Sequence, residues 1–177
     1  MMSFARNGLA LFVACLSVTA IASSITNAEA DRLVNLVGDT AYGVSVHKVK
    51  GATAEEMIRN LAESEGSDLE DFVVMAPSSD LDFGDQSGWG TIGVDGARDL
   101  YSWMDAKTND DGDELEGWGE DLAKADAALE TLSASGFEFG FTDGSSSYCG
   151  VSFMGLLIVD VKNGIVYEVR LTSSGSC

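Results

Sequence analysis

Residues 155–171 read GLLIVDVKNGIVYEVRL, two apolar runs on either side of Lys162-Asn163-Gly164. Two runs rich in β-branched residues, split by an Asn-Gly pair, predict an antiparallel hairpin. The register decides which side chains meet. A two-residue Asn-Gly turn sets Val159 against Glu168 and Leu157 against Arg170, a poor match. A three-residue loop with Gly164 left-handed in a bulge pairs Val161 with Ile165, Val159 with Tyr167 and Leu157 with Val169. The second register sets apolar against apolar and is the expected one. Continued outward, it brings Cys149 opposite Cys177, which predicts a disulfide between them.

Upstream of the hairpin, Phe137, Phe139 and Phe141 alternate and 143–147 (DGSSS) turns the chain, so the C-terminal part reads as a β-meander. Before it, Leu115, Trp118, Leu122, Ala125, Leu129 and Leu132 step by three and four, which places them on one stripe of a helix ended by Gly136. Asp95 is placed to cap another helix over 96–106, with Leu100, Trp103 and Met104 on one face. Thr53-Ala-Glu-Glu56 is a capping box for a third helix, whose stripe is Met57, Ile58 and Leu61 and whose end is Gly66. Residues 42–50 (YGVSVHKVK), 71–76 (DFVVMA, stopped by Pro77) and 91–94 read as strands, and 78–90 as an acidic loop. The predicted fold is α+β: a mostly antiparallel sheet with a C-terminal meander, covered by about three helices in an α/β/α sandwich-like arrangement.

The chain opens with a targeting pattern. Arg6 precedes the fourteen-residue apolar run 9–22 (LALFVACLSVTAIA), and Ala28-Glu29-Ala30 supplies a small-x-small cleavage signal. The run is shorter than the roughly 20 residues a membrane span needs. Cys15 raises a lipoprotein alternative, but it stands inside the apolar run. The expectation is a signal peptide over 1–30 and one globular domain over 31–177, with no membrane span, exported to the periplasm or outside the cell after cleavage near Ala30.

Charge is the distinctive feature. The net charge of −19 is uneven: residues 63–126 hold nineteen acids against Arg98, Lys107 and Lys124, net −16. Residues 31–62 balance four acids with four bases, and 127–177 carry five acids against two bases. So acidic a chain repels nucleic-acid phosphates and anionic lipid, so nucleic acid is not an expected partner. The richest stretch, 108–121 (TNDDGDELEGWGED), fails as a calcium loop. With Gly112 sixth, Lys107 falls first and Trp118 twelfth, where carboxylates are required. With one histidine, His47, and no CxxC pair, a zinc site is not expected, nor is any other cofactor. Ser145, Ser146 and Ser147 have no glycine elbow around them, and His47 reads as an ordinary strand residue, so no catalytic residue is assigned and an enzyme is not expected.

What remains is recognition: an acidic surface can occupy the basic cleft of an enzyme that acts on polyanions. The candidate partner-binding residues are Asp80, Asp82 and Asp85 with Asp110, Asp111, Asp113, Glu114, Glu116, Glu120 and Asp121, and Trp89 as an aromatic anchor. A carbohydrate-binding or carbohydrate-active protein using Trp89, Trp103 and Trp118 with Asp and Glu is the alternative. A further alternative is a calcium-binding or salt-adapted envelope protein.

The succession TIGVDGARDLYSWM (91–104), an acidic gap, DELEGWGEDLAKADAALETL (113–132) and GLLIVDVKNGIVYEVRL (155–171) resembles the order found in the nuclease A inhibitor family, over about residues 52–173. The resemblance implies a small α/β/α protein that blocks a secreted nuclease, with its C-terminal end helping to engage the nuclease site and its metal. Here that end is Ser-Gly-Ser-Cys177, so no single residue carries over. The expected function is an exported acidic inhibitor or immunity protein for a basic secreted enzyme, a nuclease first and a lysozyme-like hydrolase second.

Overall fold

The computed structural model describes residues 25–38, 43–70, 72–75, 88–107, 118–145 and 152–173, with side chains not described for 103–107, 118–121, 143–145, 152–154 and 171–173. Along these residues the elements are α1 (Asn27–Gly38), β1 (Val44–Lys48), α2 (Ala54–Ser64), β2 (Val73–Val74) and β3 (Trp89–Ile92). They continue with α3 (Val94–Lys107), α4 (Trp118–Ala134), β4 (Glu138–Ser145), β5 (Ser152–Asp160) and β6 (Ile165–Ser173). The strands form one sheet in the order β1-β6-β5-β4-β3-β2. Its pairings are antiparallel except β2 with β3. The class is α+β, as expected, and β4-β5-β6 is the meander.

Strand β5 sits inside the sheet and is covered on both sides. Leu156, Leu157, Ile158 and Val159 are all buried. Leu156 and Ile158 join a core with α1, α3 and α4, while Leu157 and Val159 join one with α2. This double burial explains why the expected register is wrong by one residue. Asp160 pairs with Ile165, Val159 with Val166, Ile158 with Tyr167 and Leu157 with Glu168, so the loop has four residues, 161–164. Alternation fixes a register only where one face is apolar, and a strand apolar on both faces fits either neighbouring register. The loop chemistry decides instead. Asp160 Oδ1 accepts from Asn163 N at 3.0 Å and its Oδ2 accepts from Asn163 Nδ2 at 2.6 Å, while Gly164 takes φ +66°.

Helix α2 forms where its capping box predicts. Thr53 accepts from Glu56 N at 3.2 Å, and the Glu56 carboxylate takes the Ala52 N–H at 2.7 Å, one residue earlier than the usual reciprocal bond. It lies tight on the sheet because Gly140 has no side chain: a Cβ there would fall 2.4 Å from Ile58 Cδ1. Helices α2 and α4 end alike. Ser67 N reaches Ala62 O and Phe137 N reaches Leu132 O, each past a glycine, Gly66 or Gly136. On α4, Ala125, Leu129 and Leu132 are buried and Leu122 partly so, as the stripe predicts.

Several boundaries move, among them those of β1, which spans 44–48 where 42–50 is expected. Strand β3 starts at Trp89 rather than 91, α3 starts at Val94 with Asp95 in its first turn, and β2 shrinks to two residues. The larger difference is α1, a helix absent from the expectation. Its signals are ordinary: Thr26 caps Glu29 N at 3.2 Å, and Ala30, Leu33, Val34 and Val37 are buried on one side. Reading 28–30 as a cleavage signal hid them. Among the described residues no helix is long and apolar enough to cross a membrane.

Candidate functional site

The described part of the acidic segment lies in two places. At the exit of α2, Glu63, Glu65, Asp68 and Glu70 are all exposed, on the way to β2. Asp68 Oδ1 caps its own turn by accepting from Glu70 N at 3.0 Å. The Arg59 guanidinium stacks 3.8 Å above the Phe72 ring and bonds Glu55, which ties this run to α2.

The second place is the seam between α3 and α4. Arg98 on α3 gives Nε and Nη2 to the two oxygens of Asp126 on α4, the latter at 3.0 Å. Its Nη1 reaches Glu130 at 3.1 Å and Asp95 at 3.4 Å. The guanidinium pKa is raised, first by the Asp126 hydrogen bonds and then by the charges of Asp126, Glu130 and Asp95 against the cost of burial. Three carboxylates around one cation leave two net negative charges, and Asp99 on the same helix is exposed. The segment's described arginine therefore offsets only one of the three carboxylates it touches, and a net negative charge still faces outward. Beside it runs a groove of about 250 Å³, lined by the buried Tyr101 and Leu129 and by Arg98 and Asp126 of the ion pair.

A third feature was missed from sequence. His47, expected to be an ordinary strand residue, has its Nε2 3.1 Å from Glu168 Oε2, and Glu168 Oε1 accepts from Arg170 Nε at 3.3 Å. The register of β1 on β6 makes this meeting, since Ser45 pairs with Glu168 and His47 with Val166. No signal within either strand announces it; it follows from which strands are neighbours. The trio forms a polar patch on the α2 side of the sheet.

Of the candidate partner-binding residues, Asp80, Asp82, Asp85, Asp110, Asp111, Asp113, Glu114 and Glu116 lie outside the described residues. Glu120 and Asp121 fall in the first turn of α4, where the helix dipole favours acids. Trp89 is a different matter. It is 7% exposed and belongs to the core beneath α2, so its ring is spent on packing. The cysteines 149 and 177 are outside the described residues, and the register that paired them directly is the one corrected above. Among the described residues, no three His, Cys, Asp or Glu are grouped to hold a metal ion. Comparison with family models, curated proteins and solved structures gives no match.

Proposed function

We propose that this protein is an exported acidic binding protein, an inhibitor or immunity protein for a basic secreted enzyme. A nuclease is the first candidate target and a lysozyme-like hydrolase the second. One observation carries the reading: sixteen of the nineteen net negative charges fall within residues 63–126. Arg98, a cation of that segment, is consumed by three carboxylates of its own chain. Concentrated negative potential raises the encounter rate with a cationic cleft and repels polyanionic competitors. The resemblance of residues 91–104, 113–132 and 155–171 to the pattern of the nuclease A inhibitor family supports the same reading.

Cys149 and Cys177 belong to this reading as a disulfide. The β5–β6 ladder ends at Ser152 opposite Ser173, and in the sequence Cys149 lies three residues before the one and Cys177 four residues after the other. Such a bond would staple the open end of the meander in an oxidising compartment.

The test is inhibition. The protein is titrated into a panel of basic nucleases and lysozyme-like hydrolases, with acidic enzymes of the same classes as controls. Loss of activity confined to a basic enzyme is expected. Equal indifference of every basic enzyme would reject the reading.

A further inference from the structure

Between residues 20 and 30 the sequence holds two Ala-x-Ala patterns, Ala20-Ile21-Ala22 at the end of the apolar run and Ala28-Glu29-Ala30 beyond it. Only one of them leaves the fold intact. Ala30 is 2% exposed and packs in the core with Leu33, Val34 and Val37. Ile25 rests against that core as well. Thr26 begins α1 twice over, accepting from Glu29 N through Oγ1 at 3.2 Å and from Ala30 N through its carbonyl at 2.9 Å. Glu29 then holds Arg32 through two bonds, of 2.7 and 3.0 Å. Asn27 Oδ1 faces Asn163 Nδ2 of the β5–β6 loop at 3.4 Å.

Cleavage after Ala30 would delete all of these. Helix α1 would shorten from the twelve residues Asn27–Gly38 to the eight from Asp31 onward. A new ammonium group would stand at the positive end of the helix dipole, where a cation is unfavourable. Leaders are removed before the exported chain folds, so accessibility does not choose between the patterns; the product's fold does. Cleavage after Ala22 keeps every contact. It also leaves ten residues, 9–18, as the apolar run, within the usual length of such a segment.

We infer that the leader is cut between Ala22 and Ser23, so that residues 25–30 belong to the mature domain and start its first helix. This rests on the export proposed above and assigns the bond at which that export is completed.

The test is the intact mass and first residue of the protein recovered after expression from Met1 in a bacterial host. A chain beginning at Ser23 is expected. Any other processed start overturns the assignment, Asp31 most directly, while export would still stand. A chain recovered only with residues 1–22 attached removes the export reading and the assignment with it. Two variants separate the patterns. Ala22→Leu is expected to accumulate precursor. Ala28→Leu, at an exposed helix position, is expected to be processed at Ser23 as before, and a block there overturns the proposal.

Discussion

Tyr167 is 3% exposed, and its hydroxyl donates to Asp31 Oδ1 at 2.9 Å, which pins β6 to α1. Burial first, then Asp31, and last the charge of Asp160 push its pKa up from 10.0 to about 12. The neutral phenol is thus favoured in the folded state, and the unfolded chain releases this proton earlier. Stability from this group is unchanged below pH 10 and falls as pH rises from 10 towards 12. Tyr167→Phe should cost about 1 kcal/mol in urea unfolding at neutral pH, with the deficit shrinking above pH 10. A deficit that does not depend on pH would contradict the assignment. At Arg98, replacement by Ala leaves Asp95, Asp126 and Glu130 facing one another. A loss of about 1 kcal/mol is expected, larger at low salt because added ions screen the repulsion. Single residues were the hardest scale to read from sequence. Trp89 looked like an anchor because a tryptophan beside a glycine-rich loop has no local mark of burial. His47 looked idle because its partner lies 121 positions away.

Elements were legible wherever one face alone is apolar. The stripe of α4 and the capping box of α2 predict those helices, and the structure has both. Strand β5 shows the limit: its four consecutive buried residues carry no period, so the hairpin register had two solutions. Leu157→Ala and Ile158→Ala should therefore each destabilise by roughly 2–5 kcal/mol, because they point into opposite cores. If either is near neutral in denaturant unfolding, the two-sided burial of β5 is wrong. Helix α1 was legible and overlooked, since a cleavage pattern and a capping box occupy the same six residues, 25–30. In the folded domain, Thr26→Ala should cost about 1 kcal/mol. An unchanged melting temperature would mean that α1 starts later.

At the scale of the molecule, two helical layers enclose a sheet whose interior is ordinary and whose acid content is not. Packing sets the fold class without reference to charge, which is why α+β follows from periodicity alone. Charge position along the chain was equally plain in the sequence. Its position in space was not, because the described acids divide between the exit of α2 and the α3–α4 seam, on opposite sides of the sheet. The proposed partner would read the 108–121 stretch, whose first ten residues link α3 to α4 in the sequence and which holds seven acids in fourteen residues. The most direct measurement is calorimetric titration of a basic secreted nuclease with the wild-type protein and with a variant neutralised at Asp110, Asp111, Asp113, Glu114 and Glu116. The account predicts wild-type binding that weakens on the order of tenfold or more as salt rises well above physiological strength. It predicts a variant that binds weakly at every salt concentration. Equal affinity of the two proteins, or wild-type affinity indifferent to salt, would contradict it.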